Sequence, residues 1–267
     1  MLHDLWFIDG KDGTMFYMDI LFFFVFGVLL GSFLNAWIWR TRSGKSIWRG
    51  RSMCPKCGNT LTWKENIPLV SFFWLRGRCL TCQKKISFQY PFVEIVVGCL
   101  FAFSAWFHAG YILLTFRDAF VLFFLTFVFV YDVTYQEIWD RMTVYPALFL
   151  LVPTAILGWH SGMSITVGVV VGAGFFLLQY LISKGKWIGG GDIRLGMLMG
   201  VILGWPLILV ALFFAYVGGA LFVLPFLVLK KQTMASRVPF GAYLTLATAL
   251  TMFYGMDIVQ WYIGLIS

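Results

Sequence analysis

Two aspartates beside apolar runs are the first residues in this sequence whose type and position could do chemistry. Asp132 closes one apolar run, and Asp192 follows the glycines Gly189, Gly190 and Gly191 just before the uncharged run 195–229. An acid beside a membrane is energetically expensive, so it usually serves a function. Glycine has no Cβ, so three of them in a row allow a tight turn and a close approach to another segment. We therefore interpret Asp132 and Asp192 as two acids that face each other in one catalytic site.

Such a pair of acids is suited to the hydrolysis of a peptide bond. Two carboxylates about 3 Å apart cannot both ionise, so they share one proton and titrate as a unit. The ionised acid takes a proton from water, while the protonated acid polarises the peptide carbonyl. This is acid–base catalysis without a covalent intermediate.

Each aspartate also has a simpler interpretation. Asp192 could be the N-cap of the helix that follows it, a position that aspartate fills well, and Asp132 could be a solvated loop acid. Taken singly, these interpretations are at least as good as catalysis, because a lone Gly-x-Gly-Asp is a weak signal. Residue types alone leave the choice open, since other acids compete nearby: Glu94, Glu137 and Asp140.

Two pairs of cysteines form a second candidate site. Twenty-one residues separate the pairs, slightly more than the usual spacing of about fifteen to twenty in a four-cysteine zinc ribbon. Within each pair, a gap of two residues lets two thiolates curl round one ion, and four thiolates complete a tetrahedral zinc site. Two disulfides, or four unrelated thiols, are the alternatives. We predict a structural zinc ion bound by Cys54, Cys57, Cys79 and Cys82, and we expect Cys99 to be a small buried hydrophobe.

The composition is that of an integral membrane protein. Of 267 residues, 60% are apolar and 12% are charged, and the mean hydropathy is +0.84. The net charge of +8 could suggest nucleic acid, but eleven of the twenty Lys and Arg lie between Arg40 and Lys85, against the single acid Glu65. Cytoplasmic loops of membrane proteins collect basic residues in this way. We therefore expect lipid contact, no nucleic-acid partner and a cytoplasmic, reducing environment for the cysteines, which favours metal over disulfides.

The apolar runs predict an all-α polytopic membrane protein. We expect about eight transmembrane helices, with a small cytoplasmic zinc-ribbon-like domain between the first two. The domains are predicted at 1–39 (N-terminal segment and first helix), 40–90 (basic four-cysteine domain) and 91–267 (transmembrane peptidase bundle). We expect no cleavable signal peptide, because the first run lacks a basic flank and a small-residue cleavage site. The predicted spans are 20–39, two within 93–131, 142–159, 165–182, two within 195–229 divided at Gly204 to Pro206, and 240–263.

The region 93–131 can be divided into one span or two, and the distribution of charge decides between them. With two spans that break near His108 to Gly110, Arg117 and Asp118 pair near the far interface. The remaining basic residues then fall on the same side as the basic loop. This choice places Asp132 and Asp192 at the cytoplasmic face and both termini outside. The residues on which it depends are Arg141, Lys184, Lys186, Lys230, Lys231 and Arg237.

A set of motifs in order resembles the type IV prepilin peptidases, membrane aspartic proteases of bacterial pilus and type II secretion systems. The resemblance extends from Gly31 to about Tyr243. It implies that the catalytic acids are the first acid of an Asp-x7-Asp loop, Asp132, and the acid of Gly-x-Gly-Asp, Asp192; Asp140 is the second loop acid. One departure is Trp139, where the family usually has proline. The motifs are residues 31–35, the two cysteine pairs, 63–71, Tyr90-Pro91, 189–192 and Pro239-Phe240-Gly241.

The resemblance also implies what this chain acts on. It implies an endopeptidase of the bacterial inner membrane that cleaves the basic leader from a prepilin or pseudopilin at the cytoplasmic face. The same family commonly N-methylates the new N-terminal residue with S-adenosylmethionine. The sequence has no Gly-rich nucleotide fingerprint, so we expect the methyl donor at the basic segment 54–82, around residues 63–71. The alternative for that segment is a metal-stapled structural lid.

Two functions from other classes remain as alternatives. A transporter or channel could use the acids to bind a cation, although both acids sit at one interface and none lies near the middle of a predicted span. A structural assembly protein could use the cysteine segment to dock a cytoplasmic partner.

Overall fold

The computed structural model describes residues 13–47, 49–156, 159–228 and 238–266, and within these ranges the regular secondary structure is helical apart from two isolated β-bridges. Eight of the nine α-helices in these ranges have 14 residues or more, which confirms the all-α class, and their number is roughly consistent with the prediction of about eight transmembrane helices. A 3₁₀ turn, Lys64–Asn66, precedes the short helix α2. The helices are α1 (Gly13–Arg42), α2 (Val70–Trp74), α3 (Gln89–His108), α4 (Ile112–Tyr135), α5 (Arg141–Ile156), α6 (Gly162–Ser183), α7 (Gly190–Leu203), α8 (Leu207–Val228) and α9 (Phe240–Ile266).

Six of these helices are long and apolar enough to cross a membrane: α1, α3, α4, α6, α8 and α9. The other two long helices, α5 with 16 residues and α7 with 14, are shorter than the about 20 residues that a full crossing needs. Large apolar side chains such as Leu178, Phe213 and Leu221 are exposed, as expected of surfaces that face lipid. The chain is a multi-pass membrane protein.

The two ambiguous apolar runs are each divided into two helices. A turn at Ala109 and Gly110, with φ of 40° and 98°, separates α3 from α4. The break between α7 and α8 lies at Gly204, Trp205 and Pro206, as predicted. Three of the basic residues used to choose this topology, Lys230, Lys231 and Arg237, lie outside the described residues.

The predicted pairing of Arg117 with Asp118 is confirmed. Asp118 is 1% exposed and accepts hydrogen bonds from Arg117 Nε at 2.5 Å and from His108 Nε2 at 2.6 Å. This cluster ties the end of α3 to the first turns of α4. A buried carboxylate is tolerated here because two cationic or hydrogen-bonding groups surround it.

Packing divides the chain into two compact units, Met1–Phe123 and Phe124–Ser267, and α4 runs through the boundary. In the first unit, α1 and α3 are antiparallel and in close contact through glycines. A Cβ on Gly31 would lie 2.8 Å from Cα of Glu94. Asn35 Nδ2 donates to the carbonyl of Tyr90 at 3.1 Å. The domain boundaries 1–39, 40–90 and 91–267 stay a prediction.

In the second unit, α6 and α7 are antiparallel and approach each other at two pairs of glycines. A Cβ on Gly172 would lie 2.3 Å from the carbonyl oxygen of Gly196, and one on Gly200 would lie 2.4 Å from that of Gly168. Small residues spaced by four allow backbones in a membrane to pack this closely. The contact holds α7 in position against α6, and therefore determines where the first turn of α7, with Asp192, lies.

Cys99 corrects one expectation from the sequence. It is exposed on α3 rather than buried. The reason is the register of α3: its glycine Gly98 and its neighbour Val97 face α1, which turns Cys99 outward.

Candidate active site and four-cysteine cluster

Asp132 lies in the last turn of α4 and is 4% exposed. Its Oδ2 accepts a hydrogen bond from the backbone N–H of Ala242 at 2.9 Å, in the first turn of α9. The interpretation of Asp132 as a solvated loop acid is therefore wrong. The helix continues past this residue to Tyr135, and the start of α9 covers the carboxyl.

Asp192 is the third residue of α7 and is 9% exposed. The helix begins at Gly190, and Gly189, in an extended conformation, occupies the N-cap position. Asp192 is thus not the N-cap; instead, its Oδ2 accepts a hydrogen bond from the N–H of Gly189 at 2.9 Å. This bond satisfies one of the backbone donors that a helix start leaves without a partner.

The electrostatic environment of the two acids follows from these contacts. Asp132 and Asp192 lie close enough for their charges to repel each other. Each carboxyl also contacts the first turn of a helix: Asp192 that of its own helix α7, and Asp132 that of α9. The partial positive charge of the backbone at a helix start stabilises an anion. The starts of α7 and α9 therefore offset part of the cost of burying two acids together.

Ile138, in the loop between α4 and α5, lies between the two acid-bearing segments. A Cβ on Gly191 would lie 2.7 Å from Cβ of Ile138. A Cβ on Gly241 would lie 2.9 Å from Cδ1 of Ile138 and 3.0 Å from Oδ2 of Asp132. Both positions require glycine because Ile138 and the carboxyl occupy the space that a side chain would need. The structure thus brings Asp132 and Asp192 together around one apolar side chain.

The competing acids lie in other environments. Asp140 is exposed and forms an ion pair with Arg194, which lies two residues after Asp192 in α7. Glu137 is also exposed. Glu94 is buried but belongs to the first unit, where its carboxyl accepts a hydrogen bond from the N–H of Leu69. Trp139 stacks on Phe127 just before α5 begins.

The four predicted cysteine ligands form one cluster. Their sulfur atoms all lie within 4.8 Å of one another, and Cys54 Sγ is 4.0 Å from Cys82 Sγ. A metal–sulfur distance of about 2.3 Å in a tetrahedral site puts the sulfurs slightly under 4 Å apart. All five cysteines of the chain are free thiols rather than disulfides. This arrangement can hold one metal ion.

Both halves of the cluster have the same backbone pattern. Cys54 N–H donates to the carbonyl of Asn59 at 2.9 Å, and Cys79 N–H donates to that of Lys84 at 3.1 Å. An isolated antiparallel β-bridge closes each half, Met53 with Thr60 and Arg78 with Lys85. Each half is a turn that points two sulfurs in the same direction, as the spacing of the cysteines predicted.

Electrostatics also favour a cation between the sulfurs. The backbone N–H of Cys82 lowers the pKa of Cys79 to about 7, which favours the thiolate that binds metal. Although the N–H of Asn59 acts in the opposite direction, burial and the neighbouring thiols raise the pKa of Cys57 to about 11. Four thiolates at this separation repel one another unless a cation lies between them.

Three features of the site were not inferred from the sequence. Ile138 has no local signal, because only the fold shows what lies against Gly191 and Gly241. The hydrogen bond from Ala242 to Asp132 joins residues 110 positions apart. The glycine pairs Gly168 and Gly172, and Gly196 and Gly200, do carry a signal: the small-xxx-small spacing of packed membrane helices.

Comparison with known proteins identifies the family to which this arrangement belongs. Residues 25–108 match the bacterial peptidase A24 N-terminal domain, and residues 119–224 match the type IV leader peptidase family. A prepilin leader peptidase/N-methyltransferase of Bacillus subtilis (strain 168) is 33% identical over 90% of this chain and 96% of its own length. The chain belongs to the type IV leader peptidase family.

Other family members agree over most of the chain. The protein of the same name from Aeromonas salmonicida (strain A449) is 30% identical over 91% of this chain and 93% of its own length. The one from Myxococcus xanthus (strain DK1622) is 34% identical over 80% of this chain and 64% of its own length. No solved structure matches the chain significantly.

Proposed function

We propose that this chain is a membrane aspartic endopeptidase that removes the basic leader peptide from type IV prepilins or type II secretion pseudopilins. After cleavage it methylates the new N-terminal amine with S-adenosylmethionine. Membership of the type IV leader peptidase family supports this function, as do relatives named prepilin leader peptidase/N-methyltransferase. The enzyme acts at the cytoplasmic face of the bacterial inner membrane. The basic segment 40–90 favours a cytoplasmic location, and the basic leader of the substrate is also in the cytoplasm.

The observation that carries the peptidase assignment is the pair of buried aspartates. Oδ2 of Asp132 and Oδ2 of Asp192 each accept a backbone N–H at a helix start, so both carboxyl groups are held in place. In the proposed mechanism, the ionised carboxyl takes a proton from water, which attacks the scissile carbonyl. The protonated carboxyl donates a hydrogen bond to the carbonyl oxygen. The proton taken from water then passes to the leaving amine as the C–N bond breaks.

The position of the acids in the chain suits this substrate. Asp132 lies in the last turn of the apolar helix α4, and Asp192 lies in the first turn of α7. A prepilin has a basic leader followed by an apolar helix, so its scissile bond lies where lipid gives way to water. Two acids at helix ends lie at the membrane–water interface, where both the scissile bond and the water for hydrolysis are available.

We infer that the metal of the four-cysteine cluster is zinc with a structural role. The four sulfur atoms are close enough to coordinate one ion tetrahedrally. Four thiolates are a donor set that structural zinc prefers. The cluster organises the segment 40–90 as a small domain and takes no part in hydrolysis, because all four ligand positions of the ion are filled by protein.

The first unit also contains a cavity that is large enough for a methyl donor. This cavity of about 510 Å³ lies between the ends of α1 and α3 and the segment that carries the cysteines, within the range of small-molecule sites. When bound there, S-adenosylmethionine supplies an electrophilic methyl group to the new N-terminal amine. The segment 63–71, where the sequence predicted the donor, contributes Glu65, Asn66, Pro68 and Ser71 to the wall.

The peptidase assignment is tested by co-expression with a candidate prepilin and measurement of the product's intact mass. Asp132→Asn and Asp192→Asn should each reduce leader cleavage by about a thousandfold or more, and the double variant should be no worse, because the two acids act as a unit. Asp140→Asn is the matched control, since that acid is exposed and paired with Arg194; it should keep measurable turnover. Full cleavage by a stably inserted Asp192→Asn protein would overturn the proposal.

A further inference from the structure

Glu94 is a buried carboxylate at the edge of the cavity in the first unit. It lies in the second turn of α3, is 6% exposed and lines the cavity together with Trp39, Phe72 and Tyr90. Its Oε2 accepts a hydrogen bond from the N–H of Leu69 at 2.8 Å, and the hydroxyl of Ser32 hydrogen-bonds to the same carboxyl. Among the described residues, Glu94 has no ion-pair partner.

The energetics of this position call for a cation. A buried carboxylate without a positive partner is costly, and two neutral hydrogen bonds compensate only part of the lost hydration. Four basic side chains line the cavity, Arg40, Lys56, Lys84 and Lys85, and none of them forms an ion pair with Glu94. Arg40 donates instead to the carbonyls of Ile47 and Gly50, and Lys56 donates to that of Lys85. A positively charged group of a ligand would complete the surroundings of Glu94.

The backbone that holds Glu94 is in an unusual conformation. Leu69 has φ of 60° and ψ of −55°, a combination that residues with a Cβ rarely adopt. This conformation directs the N–H of Leu69 to the Glu94 carboxyl just before α2 begins. Strained backbone of this kind is concentrated at functional sites, because the surrounding structure must maintain it for a purpose.

The chemistry of the cavity selects among possible ligands. The wall carries the carboxylates of Glu65 and Glu94 as well as four basic side chains, so it suits a ligand that bears both signs of charge rather than phosphates alone. S-adenosylmethionine carries a sulfonium and an ammonium group, both positive, and an aromatic base that can stack on the rings in the cavity wall. We propose that the Glu94 carboxylate binds a positive charge of the methyl donor in this cavity, with Leu69 and Ser32 as the residues that position it. This inference rests on the proposed methyltransferase activity.

The test compares two ligands that differ in one charge. S-adenosylhomocysteine keeps the ammonium group of S-adenosylmethionine and has a neutral thioether in place of the sulfonium. Binding of each to the full-length chain in lipid nanodiscs is measured by equilibrium dialysis. Glu94→Gln should weaken binding of S-adenosylmethionine by about ten- to a hundredfold, the usual worth of a charged hydrogen bond. Weakening of the sulfonium ligand alone assigns Glu94 to the sulfonium, and equal weakening of both assigns it to the ammonium.

Leader cleavage distinguishes loss of binding from loss of fold. Glu94→Gln should still cleave a prepilin, because Asp132 and Asp192 are unchanged, and Glu94→Asp, which keeps the charge, should retain part of the donor affinity. Unchanged affinity of Glu94→Gln for both ligands overturns this inference. If the unaltered chain binds neither ligand and does not methylate its product, the proposed methyltransferase activity itself fails.

A second measurement needs no substitution. Dicyclohexylcarbodiimide modifies carboxyl groups in apolar surroundings, and the modified peptide is quantified by mass spectrometry. Saturating S-adenosylmethionine should protect Glu94 from modification while leaving unchanged the reaction of Glu137, which is exposed and does not line the cavity. Modification of Glu94 at the same rate with and without the ligand contradicts the proposal, whatever the variants do.

Discussion

At the scale of single residues, the candidate active site depends on two glycines, Gly191 and Gly241, which leave space for the side chains beside them. Asp132 and Asp192 are each anchored through one carboxyl oxygen by a backbone N–H, so their positions follow the helix starts rather than other side chains. Ile138 fills the space beside Gly191 and Gly241. The geometry of the pair is therefore sensitive to any atom added at these glycines, even though neither glycine carries a functional group.

The glycine before Asp192 allows a direct test of this geometry. Gly191→Ala should place a methyl group 2.7 Å from Cβ of Ile138, a distance that forces the turn or the loop to move. A shift of about 1 Å in a catalytic group lowers the rate roughly a hundredfold. We expect a loss of leader cleavage of that size in an assay with purified enzyme and prepilin, although the charge of Asp192 is retained.

Two controls separate this clash from a general effect of the substitution. Gly190→Ala is the matched control, because its Cβ would meet only the end of the Arg194 side chain at 3.9 Å; it should change the rate little. Adding Ile138→Ala to Gly191→Ala removes the obstructing side chain and should recover much of the activity. A Gly191→Ala enzyme as active as the parent would show that Ile138 does not constrain the site.

At the scale of helices, the acids depend on how α7 and α9 are held. The α6–α7 contact brings two backbones together at Gly168, Gly172, Gly196 and Gly200. Since lipid is as apolar as a leucine side chain, the contact is stabilised by close packing rather than by hydrophobic burial. A change in this contact therefore moves the first turn of α7, which carries Asp192.

Two glycines in α6 give a matched pair for measuring the contact. Gly172→Ala should destabilise the protein by about 1–3 kcal/mol, because its Cβ would lie 2.3 Å from the carbonyl oxygen of Gly196. Gly174→Ala, in the same helix, has open space around its Cβ and should be neutral or stabilising. Thermal unfolding in detergent checks the difference, and equal unfolding temperatures would contradict the packing assignment.

The four-cysteine element gives a prediction about metal. Elemental analysis should find one zinc ion per chain, and Cys57→Ser should lose it. Structural zinc contributes on the order of 10 kcal/mol to folding a small metallo-domain, so proteolysis should then cut within residues 40–90. Leader cleavage should persist in part, because the thiolates do no hydrolytic chemistry. Cys99→Ser, exposed on α3 and outside the cluster, should keep its zinc; active purified protein without zinc refutes the assignment.

At the scale of the whole molecule, membrane topology determines whether the acids can meet their substrate. Helix α6 has 22 residues, and at about 1.5 Å per residue it is long enough to cross the bilayer. The ends of α6 should therefore lie on opposite sides of the membrane. The basic residues Lys85 and Lys186 should share the cytoplasmic side with Asp132 and Asp192.

Labelling with a membrane-impermeant thiol reagent tests this topology. Met163→Cys, at the start of α6 and 74% exposed, should react in intact cells. Lys85→Cys and Lys186→Cys should react only after permeabilisation, and the parent chain provides the background from native cysteines. Reaction of Lys85→Cys in intact cells would place the cysteine segment outside and remove the proposed active site from the cytoplasmic face.

Much of the fold was predictable because membranes impose simple rules on sequence. Apolar runs must be helical, so their lengths and breaks predicted about eight helices, including the division of 93–131 and the break at Gly204. They were all predicted to be transmembrane, whereas six of the described helices are long and apolar enough to cross. The cysteine cluster was also predictable, since a gap of two residues determines locally how two sulfurs can share one ion. For the acids, the sequence predicted the positions of Asp132 and Asp192 in the chain, and resemblance to a family selected them among their competitors.

The tertiary structure decided everything that depends on which segments meet. Asp132 is buried because α9, 110 residues later, places the N–H of Ala242 against it. Ile138 became part of the site through its contacts with Gly191 and Gly241. Glu94 has different surroundings because the first unit places it beside the N–H of Leu69. Local sequence determines whether a segment is helical, since backbone hydrogen bonds within a helix are local. The surroundings of a carboxylate are set by neighbours distant in sequence, and only the packed chain specifies those.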